Sequence, residues 1–200
     1  MTSPDRLAAA RDAVIAGNLA KLRLLLKSGV PADAPLPGSS LLRLAARFGH
    51  AAVFDALVDA GARIDDPELL EYAADGKTPS PAIIARILAE AAPAQAVRDA
   101  ALRFASVQGG GTAVAALIAA GADVNARDPF SGDCALLNAI LHGQEEAAAL
   151  LLEAGADPQV RVLDDPAETP AENPHKGRTA LELAEALGHT DIAARLRAAG

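Results

Sequence analysis

Aromatic residues are scarce: they make up 2% of the 200 residues, and tryptophan is absent. Sheets draw on aromatic and β-branched side chains, so this shortage points away from a β-rich fold. Cysteine occurs once, as Cys134. A single thiol excludes an internal disulfide framework or a cysteine-based metal cluster, and it fits a reducing compartment. Cations are outnumbered, with 18 Lys and Arg against 26 Asp and Glu and a formal net charge of −8. That balance weighs against a nucleic-acid partner, because phosphate neutralisation needs clustered Lys and Arg. It suits solubility or a basic partner protein. The N-terminus has no basic stretch leading into an apolar run, so no signal peptide is expected. No apolar run nears the roughly 18 residues of a membrane span, and Arg23 interrupts the stretch from Leu22 to Leu26. These absences predict a soluble cytoplasmic protein.

Alanine and aliphatic residues dominate what remains, and the apolar fraction is 51%. Alanine is the best helix former and lets helix backbones approach closely. An all-α protein with an alanine and leucine core is therefore expected.

The chain repeats. Five glycines are each followed by another 12 positions later: Gly17 and Gly29, Gly49 and Gly61, Gly109 and Gly121, Gly143 and Gly155, Gly188 and Gly200. Random placement of 16 glycines would give about one such pair. Alanine always stands four positions before the first glycine, as Ala13, Ala45, Ala105, Ala139 and Ala184. Leucine always stands eight after it, as Leu25, Leu57, Leu117, Leu151 and Leu196. The first glycine of each pair is read as ending one helix at a tight turn, where positive φ carries no steric cost. The next dozen residues then form an antiparallel second helix, closed by the second glycine. One such pair cannot bury its own apolar face, so neighbours must stack into a continuous apolar spine.

The step from Gly29 to Gly61 is 32 residues and from Gly121 to Gly155 is 34. These bracket the 33-residue ankyrin repeat, and the text resembles that family in detail. Its Gly-x-Thr-Pro-Leu-His-x-Ala box is matched by GSSLLRLA at 38–45, GDCALLNA at 132–139 and GRTALELA at 177–184. Its Gly-His turn appears at Gly49-His50 and Gly188-His189, and its GADVNA loop stands intact at 121–126. The box proline is missing from all three copies, and its histidine is replaced by Arg43, Leu137 or Glu182. The resemblance implies an all-α ankyrin-repeat solenoid of about six stacked helix-turn-helix units with short β-hairpin loops. The expected repeats are 4–34, 35–65, 66–93, 94–126, 127–158 and 159–200, with an insertion at about 159–176. The third lacks the glycine pair and is read as degenerate, with helices from Pro67 to Ala74 and from Pro81 to Ala91 and Ser80 as N-cap. Ser3 and Pro4 suit the start of a first helix. Arg195 and Arg197 suit a last helix facing water on its outer side, so a complete protein is expected.

No residue set reads as catalytic, and neither a metal nor a cofactor is expected. His50 and His189 occupy the turn position, where hydrogen bonding to backbone is the ordinary role. Cys134 takes the place of the box threonine and reads as a packed small residue. The glycines at 109–111 lack the lysine of a phosphate loop. Asp164, Asp165, Glu168 and Glu172 read as a solvated acidic loop. An enzyme using the 155–177 connection is the weakest alternative.

The resemblance implies a protein–protein interaction scaffold that meets its partner on a concave side made of hairpin tips and inner-helix ends. The inner-helix positions just before the turn glycine give Arg47 and Phe48, Val107 and Gln108, and Leu141 and His142. Phe48 and Leu141, large apolar residues at positions expected to be exposed, read either as contact anchors or as packed against a neighbouring hairpin. The hairpin before Gly132 offers Arg127, Asp128, Phe130 and Asp133, and the insertion offers Arg161 and His175. An alternative is an inhibitor or immunity protein that masks a basic toxin or enzyme. A monomer is expected, and the alanine-rich style resembles a bacterial protein.

Overall fold

The computed structural model describes residues 4–76, 78–163 and 173–200. Ser3, Asp164, Asp165, Glu168 and Glu172 lie outside the described residues. Among the described residues there are twelve helices: α1 (Pro4–Ile15), α2 (Leu19–Lys27), α3 (Leu41–Arg47), α4 (Ala51–Asp59), α5 (Leu69–Ala74), α6 (Pro81–Ala91), α7 (Gln95–Gln108), α8 (Gly111–Ala119), α9 (Ala135–Leu141), α10 (Glu145–Glu153), α11 (Ala180–Leu187) and α12 (Thr190–Ala199). None is long and apolar enough to cross a membrane. A short antiparallel hairpin, β1 (Pro35–Leu36) and β2 (Ser39–Ser40), pairs Pro35 with Ser40 and Leu36 with Ser39. Isolated antiparallel bridges join Arg127 to Cys134 and Arg161 to Thr179.

The chain forms two compact units, Met1–Val97 and Arg98–Gly200. In the first, α1, α3 and α5 pack as one row and α2, α4 and α6 as a second. In the second, α9 packs on α11, and α8, α10 and α12 form the other row. Asn138 on α9 donates a hydrogen bond to the Arg103 carbonyl of α7 at 3.4 Å.

The glycine rhythm is the scaffold of this arrangement. All ten paired glycines lie outside helices and strands, and every one except the last residue, Gly200, has positive φ. Conformation is half the reason. Gly143 has φ +65°, and a Cβ there would also stand 2.8 Å from the His189 ring. The alanines four positions earlier are all buried, which lets paired helices close on one another. Leu57, Leu117, Leu151 and Leu196 are buried as well, whereas Leu25 is only half-buried. Phe54 is the one aromatic among the fully buried large side chains.

The hydroxyl of the box caps the inner helix where one is present. Ser40 Oγ accepts from Arg43 N at 3.1 Å. Thr179 and Glu182 form a reciprocal capping box. Cys134 occupies the same N-cap position on α9 and makes no side-chain cap bond.

The degenerate segment departs from expectation in two ways. α5 begins at Leu69 rather than Pro67, because Asp66 turns the chain first: its carboxylate accepts from Glu68 N at 3.1 Å. Ser80 is the N-cap of α6 but makes no side-chain cap bond there. The helix then closes on Ala92, a non-glycine residue in the left-handed region at φ +43°.

Candidate functional site

Tight turns present the inner-helix ends, and side chains of the following repeat tie down the turns at Gly17, Gly49 and Gly109. His50 Nε2 lies 3.0 Å from the Ile15 carbonyl, and its ring fills the space beside Gly17. Thr78 Oγ1 donates to the Phe48 carbonyl at 3.0 Å, and Gln144 Nε2 donates to the Val107 carbonyl at 2.9 Å. Side chains of different chemistry thus satisfy orphan helix-end carbonyls, His50 and Gln144 the one two positions before the turn glycine and Thr78 the one next to it. The backbone role expected of His50 is the one observed.

Arg47 and Phe48 belong to the first unit, and the other ten site residues to the second. Arg47 is exposed at the end of α3. Phe48 is half-buried, with its ring stacked on His50 at 6.2 Å between centroids. Leu141 is likewise half-buried at the end of α9. The expectation that these two positions stand fully exposed is therefore corrected: both are partly covered, and for Phe48 the stacked His50 ring is part of that cover. Gln108 and His142 are exposed, and Val107 is half-buried.

The second unit gathers the hairpin residues. Phe130 is 93% exposed. Its tip is stiff nonetheless, because one carboxylate oxygen of Asp128 accepts from Phe130 N at 2.9 Å and from Ser131 N at 3.0 Å. This Asx-type turn is a standard way to fix a loop. Those two backbone bonds, with the Arg103 guanidinium 3.2 Å away, hold the Asp128 carboxyl below the usual carboxylate range. Asp133 closes the loop, its carbonyl accepting from Asp128 N at 2.8 Å.

Arg127 reaches from this hairpin to the following one. It donates to the Gly132 carbonyl at 2.8 Å and to the Arg161 carbonyl at 3.1 Å. Arg161 donates in turn to the Gly177 carbonyl at 3.0 Å. Val162 N bonds the Arg178 carbonyl at 2.9 Å, so the start of the insertion does extend the hairpin. His175 is partly exposed, with its Nδ1 shielded and without a hydrogen-bond partner among the described residues.

Sequence reasoning missed Lys176 and Arg178, which line a groove with Arg161, Glu182 and Glu185. It also missed Leu163 and Phe104, at 43% and 40% exposure. The clustering of His175, Lys176 and Arg178 was visible in the text, but not that Arg161 lies beside them.

Chemistry at Cys134 is unfavourable. Burial pushes its thiol above the ordinary value, which keeps it protonated and a poor nucleophile. Among the described residues no group of three His, Cys, Asp or Glu is placed to hold a metal ion.

Residues 102–200 match the family model described as ankyrin repeats, three copies. Among solved structures, the human ASB11 ankyrin repeat domain superposes with a TM-score of 0.76 at 20% identity, covering 100% of this chain and 84% of that one. The ankyrin repeat domain of Bcl-3, described as a unique member of the IkappaB protein family, gives 0.68 at 24% identity, covering 96% and 86%. At such identities the likeness is one of fold. No curated protein matches this sequence.

Proposed function

We propose, from the ankyrin-repeat fold of the chain and the ankyrin repeats matched over residues 102–200, that it holds a partner protein through the hairpin tips and inner-helix ends of its second unit. The observation that carries this reading is Phe130: a large apolar ring standing almost wholly in water on a loop fixed by Asp128. An exposed aromatic on a rigid support loses little conformational freedom when a partner covers it, which is the economy of an interface anchor. Leu163, also exposed, lies on the adjoining hairpin with its side chain against Gly132. His142 and Gln108, at the ends of α9 and α7, would supply polar contacts at the rim.

The test is affinity capture with the full chain and with Phe130→Ala, followed by titration of the captured protein. Truncating an anchor of this kind should weaken binding by about 2 kcal/mol, or roughly thirtyfold. The variant's thermal midpoint should stay unchanged, since the ring packs on nothing that folding requires. A partner held equally well by Phe130→Ala and by Leu163→Ala would remove the basis for this surface.

A further inference from the structure

The first helix pair differs from the others in what its outer helix leaves uncovered. Four positions after the turn glycine, α4, α10 and α12 bury Val53, Ala147 and Ile192. Each of these helices packs on an outer helix that precedes it. Among the described residues α12 has no successor, so the cover does not come from a following helix. In α2, which no outer helix precedes among the described residues, the same position is Lys21 and stands exposed. Leu25 is only half-buried for the same reason, whereas Leu57, Leu151 and Leu196 are buried. The lysine marks this flank as a wetted surface, because an unpaired ammonium is costly to bury under another repeat of the same kind.

The flank has a defined chemistry. Leu24 is 69% exposed. Lys21 and Lys27 lie three positions to either side of it on one face of the helix, and Arg23 borders them; all three are exposed. Arg43, Arg63, Arg86, Arg103 and Arg197 pair with carboxylates. Lys21, Arg23 and Lys27 form no ion pair among the described residues. Arg6 adds a further charge, its guanidinium donating at 3.3 Å to the Ser28 carbonyl at the end of α2. Of the two carboxylates in this helix pair, Asp12 is held by Arg11, and Asp5 stands exposed at the start of α1. The pair is therefore net positive on a chain whose formal net charge is −8. We propose that this flank docks a helical segment of a partner protein in which Asp or Glu surrounds an apolar side chain. A helix is what α4, α10 and α12 each receive from the preceding unit, and the three unpaired cations call for carboxylates around whatever covers Leu24. This surface lies in the first unit and is additional to the one proposed on the second.

The net charge makes the test discriminating, because the protein as a whole should repel an acidic peptide. Fluorescence anisotropy would follow a fluorescein-labelled, helix-forming peptide of Glu, Ala and Leu, its leucines on one face flanked by glutamates, titrated with the full chain. A counterpart with Gln for Glu is the control probe. The acidic peptide should bind saturably and weaken with added salt. Lys21→Gln/Lys27→Gln should weaken it about tenfold, and Leu24→Ala about threefold. Arg195→Gln/Arg197→Gln, which removes the same charge from exposed positions of α12 in the second unit, should change it less than about twofold. Circular dichroism would verify that the variants keep the helical content of the parent. The proposal is overturned by absence of saturable binding, by equal binding of the Gln peptide, or by equal effects of the two double variants. Two further outcomes would overturn it in favour of another occupant. A dimer in sedimentation velocity that Leu24→Ala dissolves would assign the flank to a second copy. Binding to phosphatidylserine vesicles that Lys21→Gln/Lys27→Gln abolishes and the acidic peptide does not displace would assign it to a lipid surface. Phe130→Ala should leave peptide binding unchanged, so the two proposed surfaces stand or fail separately.

Discussion

The pair α5–α6 and the pair α9–α10 make the same two chain reversals with different residues. Between α9 and α10 the chain turns on Gly143 at φ +65°, and after α10 it turns again on Gly155 at φ +91°. After α5 it passes through Gly76, which does not have positive φ, and after α6 it turns on Ala92 at φ +43°. Gly76 is held by space alone: a Cβ there would stand 2.5 Å from the Arg47 carbonyl. The regular pair thus asks its turn glycine for conformation and closeness together. The degenerate pair separates them, keeping a glycine for closeness and accepting strain at an alanine for the turn. The lead-ins differ too. The loop before α5 is fixed by the ion pairs of Arg43 with Asp66 and Glu68, with Arg43 also lying over the Tyr72 ring at 5.1 Å. The loop before α9 is fixed by Asp128 and by bonds to carbonyls.

The comparison breaks most sharply at Gly143. Gly143→Val forces a β-branched residue to positive φ and drives its Cβ into the His189 ring. We expect a loss of about 3 kcal/mol in denaturant unfolding. A loss below about 0.5 kcal/mol would mean that the regular turn is no more demanding than the degenerate one.

A smaller effect is expected at Arg43. Arg43→Met keeps an apolar stem near Tyr72 and removes the charge, and should cost about 1 kcal/mol at neutral pH, since the paired carboxylates remain in reach of water. The hydrogen bond from Arg43 holds the Asp66 carboxyl below its ordinary value, against partial burial that raises it. A carboxyl depressed in the folded state contributes stability that is present above the unfolded value, about pH 4, and fades as pH falls through the folded value. The parent should therefore lose more stability than Arg43→Met between about pH 4 and pH 2. Parallel acid profiles would show that the pair does not hold this loop.

The smallest change sharpens the comparison by erasing it. Ala92→Gly relieves left-handed strain at the end of α6 and should stabilise the protein by about 0.5–1 kcal/mol, the gain being reduced by the greater freedom of glycine in the unfolded chain. A destabilised variant would mean that Ala92 sits there without strain.

Much of the fold was legible because its rules are local. The alanine and leucine positions around each glycine pair mark the buried faces, and Ala45, Ala105, Ala139 and Ala184 are all fully buried. α6 runs from Pro81 to Ala91, as the proline and the apolar spacing predicted. The start of α5 was not legible, because Asp66 acts through its side chain on the loop, a competition between turn and helix that periodicity does not register. The tip residues Arg127, Asp128, Phe130 and Asp133 were placed correctly on a hairpin, yet nothing in their order revealed that Asp128 would stiffen the loop while Phe130 stayed bare.

The sequence alone determined the helix pairs, their reversals and most of the buried faces, since each depends on residues within about one helical turn of one another. Only the tertiary structure decided the distribution of charge and exposure. Arg161 meets the Gly177 carbonyl across the insertion, Arg43 meets Asp66 a repeat away, and Phe48 stacks against His50. Stacking brings such residues together, and whether an arginine then meets a carboxylate or a carbonyl sets where the surface is neutral and where it can attract a partner.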